Sequence, residues 1–179
     1  DEKQANELAL EYLQSGADGV LFEPVKSNLR FDVLLDQIKP EFCTLSFLIH
    51  SEHATNASEF RSWTEKRDDY KLLAGCFFWE DLPNLDFEQL KFSSQNFFPF
   101  GLSIPTQENA EDEIVFGLEK VARFLDLISV KHNAKQVLNQ FAFSLSVGTD
   151  LFLEIAKLKA LRNLWYQIQG AFGVVEMNP

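Results

Sequence analysis

Basic residues and long hydrophobic runs are scarce in this sequence of 179 residues. Lys and Arg number 16 against 27 Asp and Glu, which gives a net charge of −11. This balance disfavours nucleic acid as a partner, because phosphate binding relies on clustered basic side chains. No apolar run approaches the roughly 20 residues that cross a bilayer, and the charged, helix-like start is unlike a signal peptide. We therefore expect neither a nucleic-acid nor a membrane partner.

Cysteine is also rare, and a glycine-rich phosphate-binding turn is missing. Cys43 and Cys76 are too few for a disulfide framework and have no metal-ligand spacing around them. Both lie in apolar runs, which predicts reduced core thiols in a cytoplasmic protein. After the first apolar run the sequence reads Glu23-Pro24-Val25-Lys26. Without a glycine-rich turn at this point, dinucleotide binding is disfavoured.

Aromatic residues, in contrast, are abundant. The chain has 18 Phe and 3 Trp within a hydrophobic content of 46%, which predicts a large, well-filled core. Its length suits a single domain over residues 1–179. Short apolar runs predict strands near residues 19–23, 43–49, 74–79, 97–104 and 141–147. Amphipathic spacing predicts helices over residues 3–14, 29–38, 58–67, 85–92, 114–128 and 151–169, the last one capped by Asp150.

Strands that alternate with helices along the whole chain are typical of a parallel sheet with right-handed crossovers. A doubly wound open sheet and a (β/α) barrel both fit this pattern, and the missing glycine-rich turn favours the barrel. A complete eightfold barrel usually has about 250 residues. We therefore predict an α/β fold of the (β/α)8 TIM-barrel type, here an incomplete barrel of about five parallel β/α units. The alternatives of an open sheet and a piece of something larger both remain.

The segment from Phe143 to Ala160 resembles a signature of the methylmalonyl-CoA mutase family. It reads FSLSVGTDLFLEIAKLKA: a turn of small and polar residues, then a Glu-Ile-Ala-Lys helix, followed by the Leu164-Trp165 pair. Gln107-Glu108 resembles a Gln-Glu that follows the family's fifth strand. The upstream strands and helices are in register with units two to six of the family's substrate barrel. The resemblance covers the whole chain, strongly in its last third and weakly before that.

This resemblance implies a (β/α)8 barrel that holds an acyl-CoA along its axis. A separate cobalamin-binding domain follows the barrel in the family, and it is expected to be absent from this chain. The parent enzyme would use adenosylcobalamin to interconvert methylmalonyl-CoA and succinyl-CoA. No cofactor is expected to bind to this chain.

The chain departs from the catalytic members of the family at each position that can be compared. Those members bring a Gln on the fourth strand, a His after the fifth strand and a nearby Arg to the substrate thioester. Here Phe78 stands at the position matching the Gln, residues 103–107 contain no His, and residues 82–92 contain no Arg. The family's Gly-Met-Asn reads Gly148-Thr149-Asp150. The resemblance therefore implies the small, non-catalytic subunit of a heterodimeric mutase, whose partner is a large catalytic subunit.

Two consequences of this interpretation concern the barrel itself. A channel filled by Phe77, Phe78 or Trp79 would exclude the pantetheine chain, although core filling is the default role of such a run. Unpaired sheet edges near residues 19–23 or 141–147 would favour self-association of the chain. No catalytic, cofactor-binding or metal-binding residue is assigned.

The alternative is a stand-alone acyl-CoA-processing barrel enzyme. Glu80 and Asp81 would be its general acid and base, since barrel chemistry occurs at the carboxyl ends of strands. Solvated loop carboxylates are the favoured interpretation of that pair. His50 and His53 form a weaker candidate acid–base pair, because no ligand-spaced partner accompanies them.

Three further residues near the signature also have simple structural roles available. A helix N-cap fully explains the Asp of Thr149-Asp150. Lys157 and Lys159 are expected to be solvated or salt-bridged.

Overall fold

A computed structural model describes residues 1–82, 90–92, 94–129 and 134–174 of the chain. Its sheet consists of five strands, each parallel to its neighbours, in the order β1-β2-β3-β4-β5. They are β1 Gly19–Phe22, β2 Thr44–Ile49, β3 Gly75–Trp79, β4 Phe97–Ile104 and β5 Phe141–Leu145. The five strands predicted from apolar runs are confirmed, with small differences at their ends.

The order of the strands in the sheet follows their order in the chain. Each new strand is added on the same side of the previous one, and right-handed crossovers then place the connecting helices on one face of the sheet. A doubly wound sheet would instead reverse its direction at a switch point. The prediction of an α/β fold that forms part of a (β/α) barrel is therefore confirmed.

The helices agree with the predictions best where the amphipathic pattern is longest. They are α1 Glu2–Gln14, α2 Phe31–Leu34, α3 Thr55–Thr64, α4 Ala110–Ser129, α5 Ala134–Leu138 and α6 Leu151–Ala171. Short 3₁₀ segments at Ser51–His53 and Asp68–Leu72, and helix α5, were not predicted. The predicted helix over 85–92 lies mostly outside the described residues.

The helix predicted over residues 29–38 is much shorter in the structure. Only Phe31–Leu34 is α-helical: the backbone leaves the helical conformation at Leu35, with φ −111° and ψ 16°, and the φ of 60° at Gln37 prevents the helix from resuming. Asp150 does cap α6, as predicted, by accepting a hydrogen bond from the backbone N–H of Leu153 at 3.1 Å. At the start of the chain, Asp1 forms a capping box with Gln4.

A cluster of phenylalanines fills the space between the sheet and the helices. Phe60 of α3 lies with its ring centroid 4.9 Å from that of Phe47 in β2 and 5.7 Å from that of Phe77 in β3. Phe97 of β4 completes the group, 4.9 Å from Phe77 and 5.9 Å from Phe60. All four are fully buried. This cluster lies at the centre of the large aromatic core that the composition predicted.

The opposite side of the sheet, here called the open face, carries smaller side chains. Side chains alternate along a strand, so the neighbours of the buried Phe47, Ile49 and Trp79 point away from the helices. Paired residues on the open face are Leu21 with Ser46 and Cys76 with Phe98, then Leu48, Phe78, Gly101 and Ala142, then Ser103 with Ser144. In a closed barrel this face lines the interior.

Both cysteines are free thiols in the interior, as predicted. Cys43 precedes β2 and donates to the Lys39 carbonyl at 3.4 Å. Burial raises the pKa of the Cys76 thiol far above its ordinary value, because the thiolate would lose its hydration. Cys76 is therefore unsuited to nucleophilic chemistry.

Candidate functional site

The first residues after three neighbouring strands meet at the carboxyl edge of the sheet. Glu23 follows β1, His50 follows β2 and Glu80 follows β3. The Nε2 atom of His50 lies 2.8 Å from Oε1 of Glu23, and its Nδ1 atom lies 2.9 Å from Oε2 of Glu80. We refer to these three residues as the strand-end cluster. In (β/α) barrels this edge is where ligands bind and chemistry takes place.

The sheet itself places His50 between its two partners. Because β1, β2 and β3 are adjacent and parallel, the residues that follow them emerge at one edge. His50 keeps an extended backbone, with φ −82° and ψ 147°, so the alternation of β2 continues through it. Its side chain therefore follows that of Leu48 onto the open face. The imidazole is 25% exposed, whereas each glutamate is 57% exposed.

Protonation of His50 is favoured by this geometry. Hydrogen bonds to Glu80 and then Glu23 raise the pKa of His50 above its ordinary value, and they outweigh the opposing effect of desolvation. Both ring nitrogens can donate only in the imidazolium form. The cluster thus holds a cation between two carboxylates, and it leaves neither nitrogen free to act as a base or to bind a metal ion.

The predicted pair of carboxylates separates in the structure. Glu80 turns to His50, while Asp81 forms an ion pair with Lys120 of α4. The Nζ atom of Lys120 also donates to the backbone carbonyl of Glu80 at 3.0 Å. The arrangement does not bring Glu80 and Asp81 together as a general acid and base.

The predicted histidine pair also divides between different partners. His53 lies with Nδ1 3.5 Å from the Ser27 hydroxyl and Nε2 3.4 Å from a carboxylate oxygen of Glu52. His50 instead belongs to the strand-end cluster. The two imidazoles therefore do not form an acid–base pair.

The signature segment builds a second, buried charge cluster beyond the end of β5. Lys157 of α6 lies 2.8 Å from a carboxylate oxygen of Glu113 in α4 and 2.7 Å from one of Glu154. Its Nζ atom also donates to the Ser146 carbonyl at 2.8 Å. The pKa of Lys157 is raised, chiefly by the hydrogen bond to Glu113. The Glu and Lys of the Glu-Ile-Ala-Lys sequence thus join α6 to α4 and to the turn after β5.

This cluster settles the expected roles of the residues around the signature. Lys157 and Lys159 were expected to be solvated or salt-bridged. Lys157 is salt-bridged and buried, and Lys159 is exposed. The backbone N–H of Gln107 donates to Glu113 at 3.3 Å, so the Gln-Glu segment lies beside the same cluster. Asp150 acts as the predicted cap.

The aromatic run of β3 does not fill the open face as a unit. Phe77 and Trp79 are fully buried on the helix side, and the indole N–H of Trp79 donates to the Pro99 carbonyl at 2.9 Å. Only Phe78 belongs to the open face, where it packs over Gly101. The expectation that Phe77 or Trp79 blocks a channel is therefore wrong, because strand alternation turns both away from it. Core filling, the default interpretation, holds for these two residues.

Two other kinds of site are absent from the part of the chain that the structure describes. No group of three or more His, Cys, Asp or Glu side chains there has the geometry to hold a metal ion. None of the described helices combines the length and apolar character needed to cross a bilayer.

The sequence analysis singled out His50 and Glu80 as candidates but not their connection, and it did not single out Glu23. His50 was considered with His53, and Glu80 with Asp81, because both pairs are neighbours in the chain. A usable signal was present, since each of Glu23, His50 and Glu80 directly follows a predicted apolar run. Parallel neighbours bring such residues to one edge of the sheet. Nothing in the sequence indicated that Lys157 is buried.

The fold and the strand-end cluster define a protein of the (β/α)-barrel class with a polar group at the carboxyl edge of its sheet. Comparison with known proteins is more specific. The sequence profile of the family described as methylmalonyl-CoA mutase matches residues 107–178. A methylmalonyl-CoA mutase small subunit from Porphyromonas gingivalis is 27% identical over 201 residues, covering 95% of this chain and 32% of that subunit.

These matches confirm the resemblance found in the signature segment. The chain is similar to the methylmalonyl-CoA mutase family over residues 107–178, and to a small subunit of such an enzyme over most of its length. It spans about a third of the length of this curated relative. The profile match contains the residues of the buried charge cluster, so the matched segment includes the side chains that hold α6 in place.

Proposed function

We propose that this chain is the barrel region of the small, non-catalytic subunit of a cytoplasmic methylmalonyl-CoA mutase. It would act as a single structural domain over residues 1–179 and form a heterodimer with a large catalytic subunit. That subunit would interconvert methylmalonyl-CoA and succinyl-CoA in propionate metabolism. Adenosylcobalamin would belong to the parent enzyme and not to this chain.

The observation that carries the proposal is the position of Phe78. Its ring lies on the open face against Gly101, at the position where the resemblance expects a glutamine. A phenyl ring offers no hydrogen-bond donor to a thioester carbonyl. Losing one such preorganised donor typically costs about 2.7–4 kcal/mol of transition-state stabilisation. The missing His after β4 would add to this loss.

A non-catalytic role follows from missing polar groups and not from a blocked channel. The open face is bulky at Leu21, Leu48, Phe78 and Phe98, but over the carboxyl halves of β4 and β5 its paired residues are small, namely Gly101, Ala142, Ser103 and Ser144. In that part of the face, bulk alone would therefore not exclude a ligand. What the face lacks is a side chain at position 78 that can orient a carbonyl group.

The described residues do not fit adenosylcobalamin. A histidine that ligates cobalt needs a free ring nitrogen, and both nitrogens of His50 already face carboxylates. His53 is engaged by Ser27 and Glu52. No step of a reaction is therefore assigned to the cofactor on this chain.

The alternative of a stand-alone acyl-CoA-processing enzyme requires Glu80 and Asp81 to be available for proton transfer. Glu80 is held by His50 and Asp81 by Lys120. A general base must reach the proton that it abstracts, so these ion pairs disfavour the alternative.

Co-expression with a large mutase chain from the same organism tests the structural role. We expect the two chains to co-purify in equal amounts. In calorimetry the isolated chain should show no binding of methylmalonyl-CoA, and it should show no turnover when adenosylcobalamin is added. Failure to co-purify would contradict the proposal.

Substitutions separate the two candidate functions. Micromolar binding of methylmalonyl-CoA that Glu80→Ala abolishes and Glu52→Ala preserves would favour the enzyme. Glu52 is a suitable control because it is an exposed glutamate near the same edge that contacts His53 instead of His50.

A further inference from the structure

The strand-end cluster can form more hydrogen bonds when His50 is protonated than when it is neutral. An imidazolium donates through both nitrogens and can satisfy Glu23 and Glu80 at once. A neutral imidazole has a single N–H. Its second nitrogen is then an acceptor facing a carboxylate oxygen, which is also an acceptor, so no hydrogen bond can form between them. One of the two contacts, 2.8 Å and 2.9 Å long, therefore cannot survive deprotonation.

The surroundings of the cluster determine which contact is lost. The segment after β3 has its own attachment to α4, since Lys120 binds both the Asp81 carboxylate and the Glu80 carbonyl. The segment after β1 is attached to the neighbouring residues at Lys26 and Ser27, which lie three and four residues beyond Glu23. The Lys26 carbonyl accepts from Asn56 at 2.8 Å, and Ser27 lies 3.5 Å from His53. The Glu23 side chain is thus the less constrained partner.

The other charged groups near His50 already contact different residues. Lys26 pairs with Glu2, Lys120 pairs with Asp81, and Glu52 lies beside His53. After deprotonation, Glu23 and Glu80 would leave two negative charges around a neutral ring. Their mutual repulsion adds to the loss of one hydrogen bond.

We propose that the strand-end cluster is a proton-operated clasp. With His50 protonated, it holds the segments after β1, β2 and β3 together over the open face. Deprotonation of His50 releases Glu23 and loosens the segment after β1, while Glu80 stays with the segment that Lys120 anchors. The clasp is independent of the proposed subunit role, because it depends only on the three side chains and the sheet that positions them.

The direction of the pH dependence follows from the sign of the shift. The pKa of His50 is raised in the folded chain, so the contribution of the clasp is complete below the ordinary histidine value of about 6.5. It is lost as the pH rises through the raised folded value.

An NMR titration of the full chain tests the clasp through the ring signals of His50. We expect a titration midpoint above that of an unstructured histidine, which Glu23→Gln and Glu80→Gln each lower. The matched control is Glu52→Gln, which removes the same charge nearby without touching His50 and should move the midpoint less than either. All three substitutions are isosteric at exposed side chains, so the fold should be retained.

Backbone nitrogen relaxation on the same protein tests the release of the β1 segment, because it reports backbone order directly. The order parameters of residues 25–29 should fall between pH values below and above the His50 midpoint, while those of residues 80–82 change less. In Glu23→Ala they should be low at both pH values, because alanine offers no acceptor to the imidazolium, and in Glu52→Ala they should follow the wild type. Two results would each overturn the clasp: a His50 midpoint that neither glutamine variant moves, or order parameters of residues 25–29 that are independent of pH.

Discussion

Lys157 of α6 and Glu113 of α4 form an ion pair of 2.8 Å in which both side chains are almost completely buried. The pair joins α4, which follows β4, to α6, which follows β5, and its two residues are 44 positions apart in the chain. Glu154 and the Ser146 carbonyl share the same ammonium group. Lys157 therefore joins α4, α6 and the turn after β5 at the end of the sheet.

Removing the cation alone should destabilise the chain strongly. In Lys157→Met the volume is roughly kept, but two carboxylates remain buried without a counter-charge, so we expect the free energy of unfolding to fall by about 3 kcal/mol. Urea unfolding at neutral pH measures the change. Lys159→Met is the matched control, since this lysine is exposed on the same helix, and its effect should stay within about 0.5 kcal/mol. Equal stability of the two variants would contradict the structural role of Lys157.

Phe60 is the centre of the aromatic cluster. It is completely buried, and its ring contacts those of Phe47, Phe77 and Phe97. Phe60→Ala should therefore lower the free energy of unfolding by about 3–5 kcal/mol, through lost burial and the cavity left behind. Phe42→Ala, at a side chain 76% exposed, should have little effect in the same urea titration. A small loss at Phe60 would mean that the core can collapse around the missing ring.

Two glycines should respond to alanine in opposite directions. Gly75 begins β3 with a φ of 147°, and a Cβ atom there would overlap the backbone of Leu45 in β2. We expect Gly75→Ala to destabilise the chain by about 1–3 kcal/mol or more. Gly170 lies in α6 with open space around its Cα atom, so Gly170→Ala should stabilise the chain by about 0.5–1 kcal/mol. Thermal unfolding by circular dichroism gives both signs, and a stabilising Gly75→Ala would contradict the close approach of the two strands.

The stability of the chain in acid should depend on Glu2. A hydrogen bond from Lys26 at 2.8 Å lowers the pKa of Glu2 from 4.5 to about 2. A lowered pKa means that its contribution is complete above about pH 4.5 and is lost as the pH falls through about 2. The difference in unfolding free energy between the wild type and Glu2→Gln should therefore shrink over that interval. Glu7→Gln, at an exposed glutamate of the same helix, should show no comparable dependence.

The two outer strands, β1 and β5, each have one edge without a neighbour in the described sheet. Unpaired backbone groups at such edges tend to pair with another chain, so we expect the isolated chain to self-associate. Light scattering over a concentration series measures this, and Leu21→Lys in β1 should reduce it by placing a charge at the edge. Leu72→Lys is the control, because this leucine is equally exposed outside the sheet. A strictly monomeric mass at all concentrations would contradict the expectation.

The sequence predicted the sheet well because its signals are local. Each strand is a short apolar run, and the cap of α6 depends on Asp150 and a backbone N–H three residues away. Predictions from local patterns can also be wrong within a single segment. The helix expected over residues 29–38 ends at Leu34 and cannot resume at Gln37, where φ is positive, and the apolar spacing of that segment does not encode this turn.

The amino-acid sequence by itself determined the positions of the five strands along the chain, the capped last helix and the similarity to the methylmalonyl-CoA mutase family. Tertiary structure alone decided which side chains meet. His50 and Glu23 are 27 residues apart, and only the parallel pairing of β1 with β2 brings them into contact. The sheet also decided that Phe77 packs against helices while Phe78 lies on the open face. Contacts of this kind depend on distances between distant segments, and no periodicity within one segment contains that information.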